Sequence, residues 1–296
     1  MMTTKHPLGG LGTALVTPFH DDLSIDFDAL SRLIHFVSEG SDYLVVNGTT
    51  GESATTTNAE KKQLLAFVKE NNPKNLPLVY GAGGNNTSAV IAHIQETDLT
   101  GVFAILSVCP YYNKPSQAGV IAHFQAIADA SPVPVIIYNV PGRTVTTIDS
   151  ESVRILAQHP NIIGLKDASC SMEEAIKLTK VVPSDFLLLS GDDNLVTPQI
   201  SLGYKGVISV IGNGFPVDFA DMVHTALSGD FNKAADLQTR FLDFDTLLYV
   251  ESNPVGIKKV LEIRGICQAT VRLPLVEATP ELGEKLLHSM KKEGFL

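Results

Sequence analysis

The chain has 296 residues, of which 44% are hydrophobic, enough for one large domain or for a domain with an appendage. Its formal net charge of -10 argues against a nucleic-acid partner, which would require a basic patch. The N-terminal segment lacks the charged-then-apolar order of a signal peptide, and every apolar run is much shorter than the ~20 residues that cross a bilayer. We therefore expect a soluble cytoplasmic protein with no membrane partner.

Short apolar runs alternate with segments of helical periodicity over the first three quarters of the chain. Continuous apolar runs are typical of parallel strands that are covered on both faces. The eight candidate strands lie at 13–17, 43–47, 78–81, 102–107, 135–139, 162–166, 186–190 and 206–210. Between them, apolar side chains spaced by three or four residues predict helices, for instance after the N-cap candidate Asp26, at 118–130 and at 151–158.

Eight strand–helix units favour an α/β fold of the (β/α)8 TIM barrel type over its rival, a doubly wound sheet. The glycine cluster at 81–84 lacks the third glycine of a dinucleotide-binding fingerprint, which also disfavours the open sheet. Strand patterns end near residue 230. The helical segments beyond that point are 231–248, 254–264 and 280–292. We expect a barrel domain over 1–229 and a C-terminal helical domain over 230–296.

The cysteines and histidines show no pattern typical of a metal or cofactor site. The three cysteines are widely spaced, so each is predicted to be a reduced and buried apolar side chain. The eight histidines lack the spacing of metal ligands. Asp192 and Asp193 could bind a metal, but an N-cap for the helix that follows is favoured. We expect neither a metal nor a cofactor.

Reactive side chains fall at the C-terminal ends of the predicted strands, where (β/α)8 barrels build their active sites. Lys166 ends the sixth strand and Tyr138 lies in the fifth, with Arg143 shortly after it. Singly, such a lysine usually reaches solvent and such a tyrosine usually packs in the core. Together they suggest Schiff-base chemistry, because burial lowers the pKa of a lysine and the neutral amine attacks a ketone. Backbone N–H groups near 49–51 could hold the carboxylate of a 2-keto acid. The planar guanidinium group of Arg143 could hold a second carboxylate.

Five segments resemble the dihydrodipicolinate synthase family in order and spacing, and the resemblance covers essentially the whole chain. They are GTTGES (48–53), PYYNKP (110–115), YNVPGRT (138–144), GLKDAS (164–169) and SGDD (190–193). The resemblance implies a barrel with a helical C-terminal domain, assembled as a homotetramer from two tight dimers. It also implies that pyruvate forms a Schiff base with Lys166 and condenses with L-aspartate 4-semialdehyde, on the diaminopimelate route of lysine biosynthesis.

The resemblance assigns a role to each matching residue. The implied catalytic residues are Lys166, Tyr138, Thr49 and Tyr112. The implied substrate-binding residues are Thr50, Ile208, Arg143 and Gly191. Tyr138 would donate and accept protons through Thr49 and Tyr112, and Tyr112 would reach into the site of the neighbouring subunit. Thr50 and the backbone of Ile208 would hold the pyruvate end.

Other functions share part of this pattern. N-acetylneuraminate lyases and 2-keto-3-deoxy sugar-acid aldolases resemble the chain in GTTGE, Tyr138 and Lys166. The Tyr111–Tyr112 pair and Arg143 favour the synthase. A barrel that senses a ligand without catalysis is the alternative of another class, and the full set of expected catalytic side chains disfavours it.

The resemblance extends to regulation. Lysine-sensitive relatives have an effector site that resembles a cluster of Ser, Ala, two His, Asn, Glu and Tyr. This chain keeps four of those residues, namely Ser53, Ala54, Asn85 and Tyr111. Asn58 and Lys61 stand in place of the histidines, and Ala89 in place of the glutamate. We therefore expect inhibition by L-lysine to be weak or absent.

Overall fold

The computed structural model describes residues 6–296, and its eight parallel strands form a closed barrel in chain order. The strands are β1 (Gly10–Ala14), β2 (Tyr43–Val46), β3 (Leu78–Gly81), β4 (Ala104–Val108), β5 (Val135–Asn139), β6 (Ile162–Asp167), β7 (Leu187–Ser190) and β8 (Gly206–Ser209). The last strand pairs with the first, so that Gly10 lies opposite Gly206. This closure confirms the predicted TIM barrel and excludes the doubly wound sheet.

Helices surround the barrel and continue beyond it. Around the strands lie α1 (Phe27–Val37), α2 (Asn58–Glu70), α3 (Thr87–Glu96), α4 (Gln117–Ala130), α5 (Pro141–Thr144), α6 (Ser150–Leu156), α7 (Met172–Val181), α8 (Val196–Ser201) and α9 (Pro216–Leu227). The chain then forms α10 (Phe231–Tyr249), α11 (Val255–Ile263) and α12 (Pro280–Lys292). These last three confirm the predicted helical C-terminal part. The division at 229/230 falls in the turn between α9 and α10 and stays a prediction.

The first strand is where the sequence prediction is wrong in its bounds. The apolar pattern predicts a strand at 13–17, yet β1 spans Gly10–Ala14 and includes both Gly10 and Gly12. A Cβ at Gly12 would lie 2.1 Å from the ring of Tyr43, and one at Gly10 would lie 2.0 Å from the carboxylate of Asp42. The glycines are therefore required by close packing against Asp42 and Tyr43, at the start of β2.

Alternation along the strands divides the core into two layers. The inner cluster, which fills the barrel, includes Tyr138, Leu189 and Ile208. A larger outer cluster lies between the strands and the helices. At the end of β6 the alternation turns Lys166 toward the inner cluster, whereas Asp167 points outward and accepts a hydrogen bond from the Tyr204 hydroxyl at 3.1 Å. Strand alternation thus places the lysine at the mouth of the barrel.

Two further predictions concern the burial of the cysteines and the absence of membrane-spanning helices. Cys109 and Cys267 are buried and free, as predicted, but the prediction for Cys170 is wrong because this thiol is exposed. Cys170 follows the turn after β6 in a left-handed conformation (φ 58), which carries its side chain out of the core. Within residues 6–296, no helix has both the length and the apolar character needed to cross a membrane.

Candidate active site

Lys166 lies at the C-terminal end of β6, between two neighbours that enclose it. The strand register places it opposite Tyr138 of β5 and Leu189 of β7. Only 7% of the residue is exposed, and its Nζ lies 4.3 Å from the centroid of the Tyr138 ring. In the part of the chain that the structure describes, no carboxylate forms an ion pair with this Nζ. The amine is therefore desolvated without a compensating ion pair.

The chemical consequence is a shift in the protonation of the amine. Burial lowers the pKa of Lys166 from 10.5 to about 8, opposed by the charge of Asp193 and reinforced by that of Arg143. At pH 7 a group with this pKa is neutral in about one molecule in ten, against about one in three thousand for an ordinary lysine. Desolvation thus supplies the free amine that nucleophilic attack requires.

Tyr138 and Thr49 form a hydroxyl pair beside the lysine. Burial raises the pKa of Tyr138, while the charge of Arg143 and a hydrogen bond with the Thr49 side chain oppose this shift. Thr49 begins the 3-10 turn Thr49–Gly51 that follows β2. Arg143 lies in α5, directly after β5, and is exposed at the mouth of the barrel. Two neighbouring hydroxyls, one of them beside the amine, suit the transfer of a proton between them.

The predicted substrate-binding residues lie at the same end of the barrel. A Cβ at Gly191 would lie 2.8 Å from Ala168 Cβ and 3.0 Å from Lys166 Cε, so the residue after β7 must be small to fit against Ala168 and the lysine. Thr50 is buried, and its Oγ1 accepts a hydrogen bond from Asn253 Nδ2 at 3.1 Å. Ile208 is buried in β8 and belongs to the inner cluster.

Tyr112 is a predicted site residue that lies almost entirely in solvent in the single chain. It is 88% exposed and has a left-handed backbone (φ 72), in the loop between β4 and α4. Its neighbour Tyr111 is 43% exposed. Two adjacent exposed tyrosines are unusual on a monomer surface and are typical of a contact with another chain.

Asp193 is a site residue that the sequence reasoning missed. Asp192 is the predicted N-cap and accepts from the Asn194 N–H at 3.0 Å. Asp193 instead accepts from the N–H groups of Val210 and Ile211, each at 2.9 Å, directly after β8. Burial raises the pKa of this carboxyl to about 6, so at pH 7 it is mostly ionised. The missed signal is that only one of two consecutive aspartates can cap the helix.

One carboxylate oxygen of Asp193 has no hydrogen-bond partner in the part of the chain that the structure describes. This oxygen, Oδ1, is buried. Its negative charge raises the pKa of Lys166, which opposes the effect of burial. In the described ranges, no group of three or more His, Cys, Asp or Glu side chains is placed to hold a metal ion. The arrangement is a desolvated amine beside a hydroxyl pair and one buried carboxylate, which suits imine formation with a carbonyl compound.

Comparison with known proteins identifies relatives over nearly the full length. The family model described as the dihydrodipicolinate synthetase family matches residues 7–293. A 4-hydroxy-tetrahydrodipicolinate synthase of Cytophaga hutchinsonii is 49% identical over 282 residues, covering 95% of each chain. One of Flavobacterium psychrophilum is 44% identical, covering 94% of this chain and 95% of the relative.

Solved structures give the same result. A chloride-inhibited dihydrodipicolinate synthase from Acinetobacter baumannii, complexed with pyruvate, has a TM-score of 0.95 at 33% identity and covers 98% of this chain and all of its own (100%). A monomeric dihydrodipicolinate synthase variant has a TM-score of 0.95 at 32% identity, covering 98% of each chain. An enzyme from Cyanidioschyzon merolae with lysine bound has a TM-score of 0.93 at 36% identity, covering 99% of this chain and 100% of its own.

Proposed function

The chain belongs to the dihydrodipicolinate synthetase family, and we propose that it is a lyase-class enzyme with 4-hydroxy-tetrahydrodipicolinate synthase activity. It condenses pyruvate with L-aspartate 4-semialdehyde, in lysine biosynthesis. Both substrates are water-soluble metabolites, so we place the reaction in the cytoplasm. The observation that carries the proposal is Lys166, a buried lysine at a barrel-strand end with its pKa lowered to about 8.

The first step is covalent capture of pyruvate. The neutral amine of Lys166 adds to the keto carbon, and the carbinolamine then loses water to give a protonated Schiff base. Tyr138, with its ring against the lysine, is placed to give a proton to the departing hydroxyl and recover it through Thr49. The Asp193 carboxylate stabilises the positive iminium, because a fixed charge in a desolvated site acts strongly.

The second step is carbon–carbon bond formation. The iminium withdraws electrons, so a proton passes from the methyl group to the hydroxyl relay of Tyr138 and Thr49, and an enamine forms. The enamine carbon then attacks the aldehyde of the semialdehyde, whose oxygen takes up a proton from the hydroxyl relay. Finally the amino group of the semialdehyde attacks the iminium carbon and displaces Lys166, which closes the ring and regenerates the free amine.

Two groups at the mouth of the barrel account for recognition of the carboxylates. The backbone N–H groups of Thr49 and Thr50, at the start of the 49–51 turn, suit the carboxylate of bound pyruvate together with the Thr50 side chain and the Ile208 backbone. Arg143 carries a planar fork that suits the carboxylate of the semialdehyde. Gly191 leaves the lysine room for the covalent adduct.

We propose that the protein is a homotetramer built from two tight dimers, in which Tyr112 completes the site of its partner. The exposed Tyr111–Tyr112 pair supports this assembly, and sedimentation measures it directly. Complementation tests the role of Tyr112. Subunits that carry Lys166→Arg have no nucleophile but keep Tyr112, whereas Tyr112→Phe subunits keep the nucleophile. Mixed oligomers should therefore recover activity that neither variant shows alone, and mixtures that stay as inactive as their parents contradict donation of Tyr112 between subunits.

A coupled assay with purified protein tests the proposed function. We expect turnover of pyruvate with L-aspartate 4-semialdehyde, and much slower turnover with sugar-derived aldehydes or with N-acetylmannosamine. Preference for a sugar-derived aldehyde would replace the synthase with a sugar-acid aldolase or N-acetylneuraminate lyase. Binding of pyruvate without turnover of any aldehyde would favour a sensing role.

A further inference from the structure

A buried ion pair joins the C-terminal helices to the turn that carries Thr49 and Thr50. Lys258 of α11 donates from Nζ to Glu52 Oε1 at 2.5 Å and to the carbonyl oxygen of Thr270 at 2.7 Å. The two charged side chains are 0% and 2% exposed. The second carboxylate oxygen, Oε2, accepts the backbone N–H of Arg272 at 3.0 Å. Glu52 is thus tied to two separate points of the segment that follows the barrel.

Glu52 is also the residue that ends the 49–51 turn. It has a left-handed backbone (φ 55), which is strained for a residue with a side chain, and its N–H donates to the Thr49 carbonyl oxygen at 3.1 Å. A strained residue persists only when its surroundings hold it. Here Thr55 and Thr56 hold the carbonyl oxygen of Glu52 locally, whereas the contacts that hold its side chain come from the C-terminal segment. A second contact from the same segment reaches the turn, the hydrogen bond of Asn253 to Thr50.

Stability alone is a weak explanation for this ion pair. Removing a carboxylate and an ammonium from water costs about as much as their attraction returns, so a fully buried pair contributes little net stability. Two apolar side chains would fill the space as well. What the pair does supply is one defined position for Glu52, because a carboxylate with a directed donor on each of its two oxygens has little freedom to shift. The ion pair is therefore better explained by the position that it gives to Glu52 than by its contribution to the stability of the fold.

We propose that Glu52 and Lys258 are positioning residues that hold the 49–51 turn in the conformation that binds the pyruvate carboxylate. This inference rests on the proposed function. The C-terminal helical segment then contributes to substrate binding through the turn, although it lends no side chain to the chemistry. Loss of the pair should weaken capture of pyruvate and leave the use of the semialdehyde nearly unchanged.

Three variants separate positioning from folding. Glu52→Gln keeps the shape and an acceptor for the Arg272 N–H, but removes the charge opposite Lys258. Glu52→Gln combined with Lys258→Met removes both charges, so no buried charge remains uncompensated. Glu60→Gln is the matched control, because Glu60 pairs with the Arg272 guanidinium at 3.0 Å on the same segment without touching the turn. Glutamine at position 60 can still cap α2, as glutamate does.

The readout is labelling by pyruvate and borohydride over a range of pyruvate concentrations, with stability measured in parallel. Both Glu52 variants should need about tenfold more pyruvate for half-maximal labelling, equivalent to about 1.4 kcal/mol. The KM for the semialdehyde at saturating pyruvate should stay within about twofold. The double variant should have nearly wild-type stability, and Glu60→Gln should label like the wild type.

Two results overturn the positioning role: a folded double variant that captures pyruvate like the wild type, or an equal loss in Glu60→Gln. If Glu52→Gln does not fold, the double variant decides alone. Absence of any adduct in the wild-type protein contradicts the proposed function itself, whereas normal wild-type labelling with an unaltered double variant contradicts only the inference about Glu52 and Lys258.

Discussion

Replacing the nucleophile by an apolar side chain of similar length should make the protein more stable. A pKa lowered from 10.5 to about 8 means that the folded protein disfavours the charged form of Lys166 relative to the unfolded chain. At about 1.4 kcal/mol per pH unit, the cost at pH 7 is roughly 3 kcal/mol. Lys166→Met removes the charge and fills most of the space. The free energy of unfolding at pH 7 should therefore rise by up to about 3 kcal/mol.

The pH dependence of this difference has a defined sign. In the unfolded chain Lys166 stays protonated up to about pH 10.5, whereas in the folded chain it is protonated only below about pH 8. Between these values the unfolded state binds more protons, so the stability of the wild type rises with pH. The cost is therefore complete below about pH 8 and is lost above about pH 10.5. The advantage of Lys166→Met should shrink over the same window.

Urea unfolding of both proteins at pH 7 and at pH 10, at equal subunit concentration, measures the effect. Lys258→Met is the matched control, because Lys258 is also buried but is paired with Glu52. Its removal leaves a buried carboxylate without a partner and should destabilise the protein by about 3–5 kcal/mol. A Lys166→Met protein that is no more stable than the wild type at pH 7 would refute desolvation as the cause of the lowered pKa. So would an advantage that does not change with pH, which would indicate better packing alone.

Three further predictions concern activity. Tyr138→Phe removes the hydroxyl that moves protons and should lower kcat by about 10²–10⁴ in the coupled assay, so a kcat close to that of the wild type would exclude Tyr138 as the proton donor. Arg143→Ala should raise the KM for the semialdehyde and leave pyruvate labelling nearly intact; unchanged semialdehyde kinetics would remove the main feature that favours a synthase over a sugar-acid aldolase. L-Lysine should inhibit weakly or not at all, because Ala89 offers no carboxylate to an ammonium group, and half-inhibition below about 1 mM, roughly 4 kcal/mol of binding, would contradict this.

The nucleophile and its tyrosine could be predicted from the sequence for a simple physical reason. A closed parallel barrel brings all of its strand ends to one rim, so Lys166 and Tyr138 need only be placed on their own strands to be placed near one another. The strand register bears this out, with the two residues directly opposite in β5 and β6. The local sequence pattern is therefore sufficient to predict that these two residues are neighbours, because the barrel topology brings their strand ends together.

The contacts that hold the site could not be predicted in this way. Lys258 and Glu52 are 206 residues apart, and nothing in either local sequence specifies the other as its partner. Asp193 resembles a helix cap in the sequence, and only the fold shows that the two residues after β8 donate their N–H groups to it. The strand β1 begins at Gly10 instead of residue 13, and the narrow space that requires glycine there is set by Asp42 and Tyr43, which belong to the next strand–helix unit. Each of these depends on tertiary packing.

Trapping of the covalent intermediate is the most direct test of Lys166 as the pyruvate-binding nucleophile. The protein is incubated with pyruvate and borohydride, and its mass and peptide map are measured, with Lys166→Arg as the control. We predict one reduced pyruvyl group per chain, located on Lys166, and none in the variant, because a guanidinium stays protonated and cannot form the imine. Turnover without any adduct would contradict the Schiff-base mechanism, and an adduct on Lys205 or Lys258 would contradict the assignment of the nucleophile.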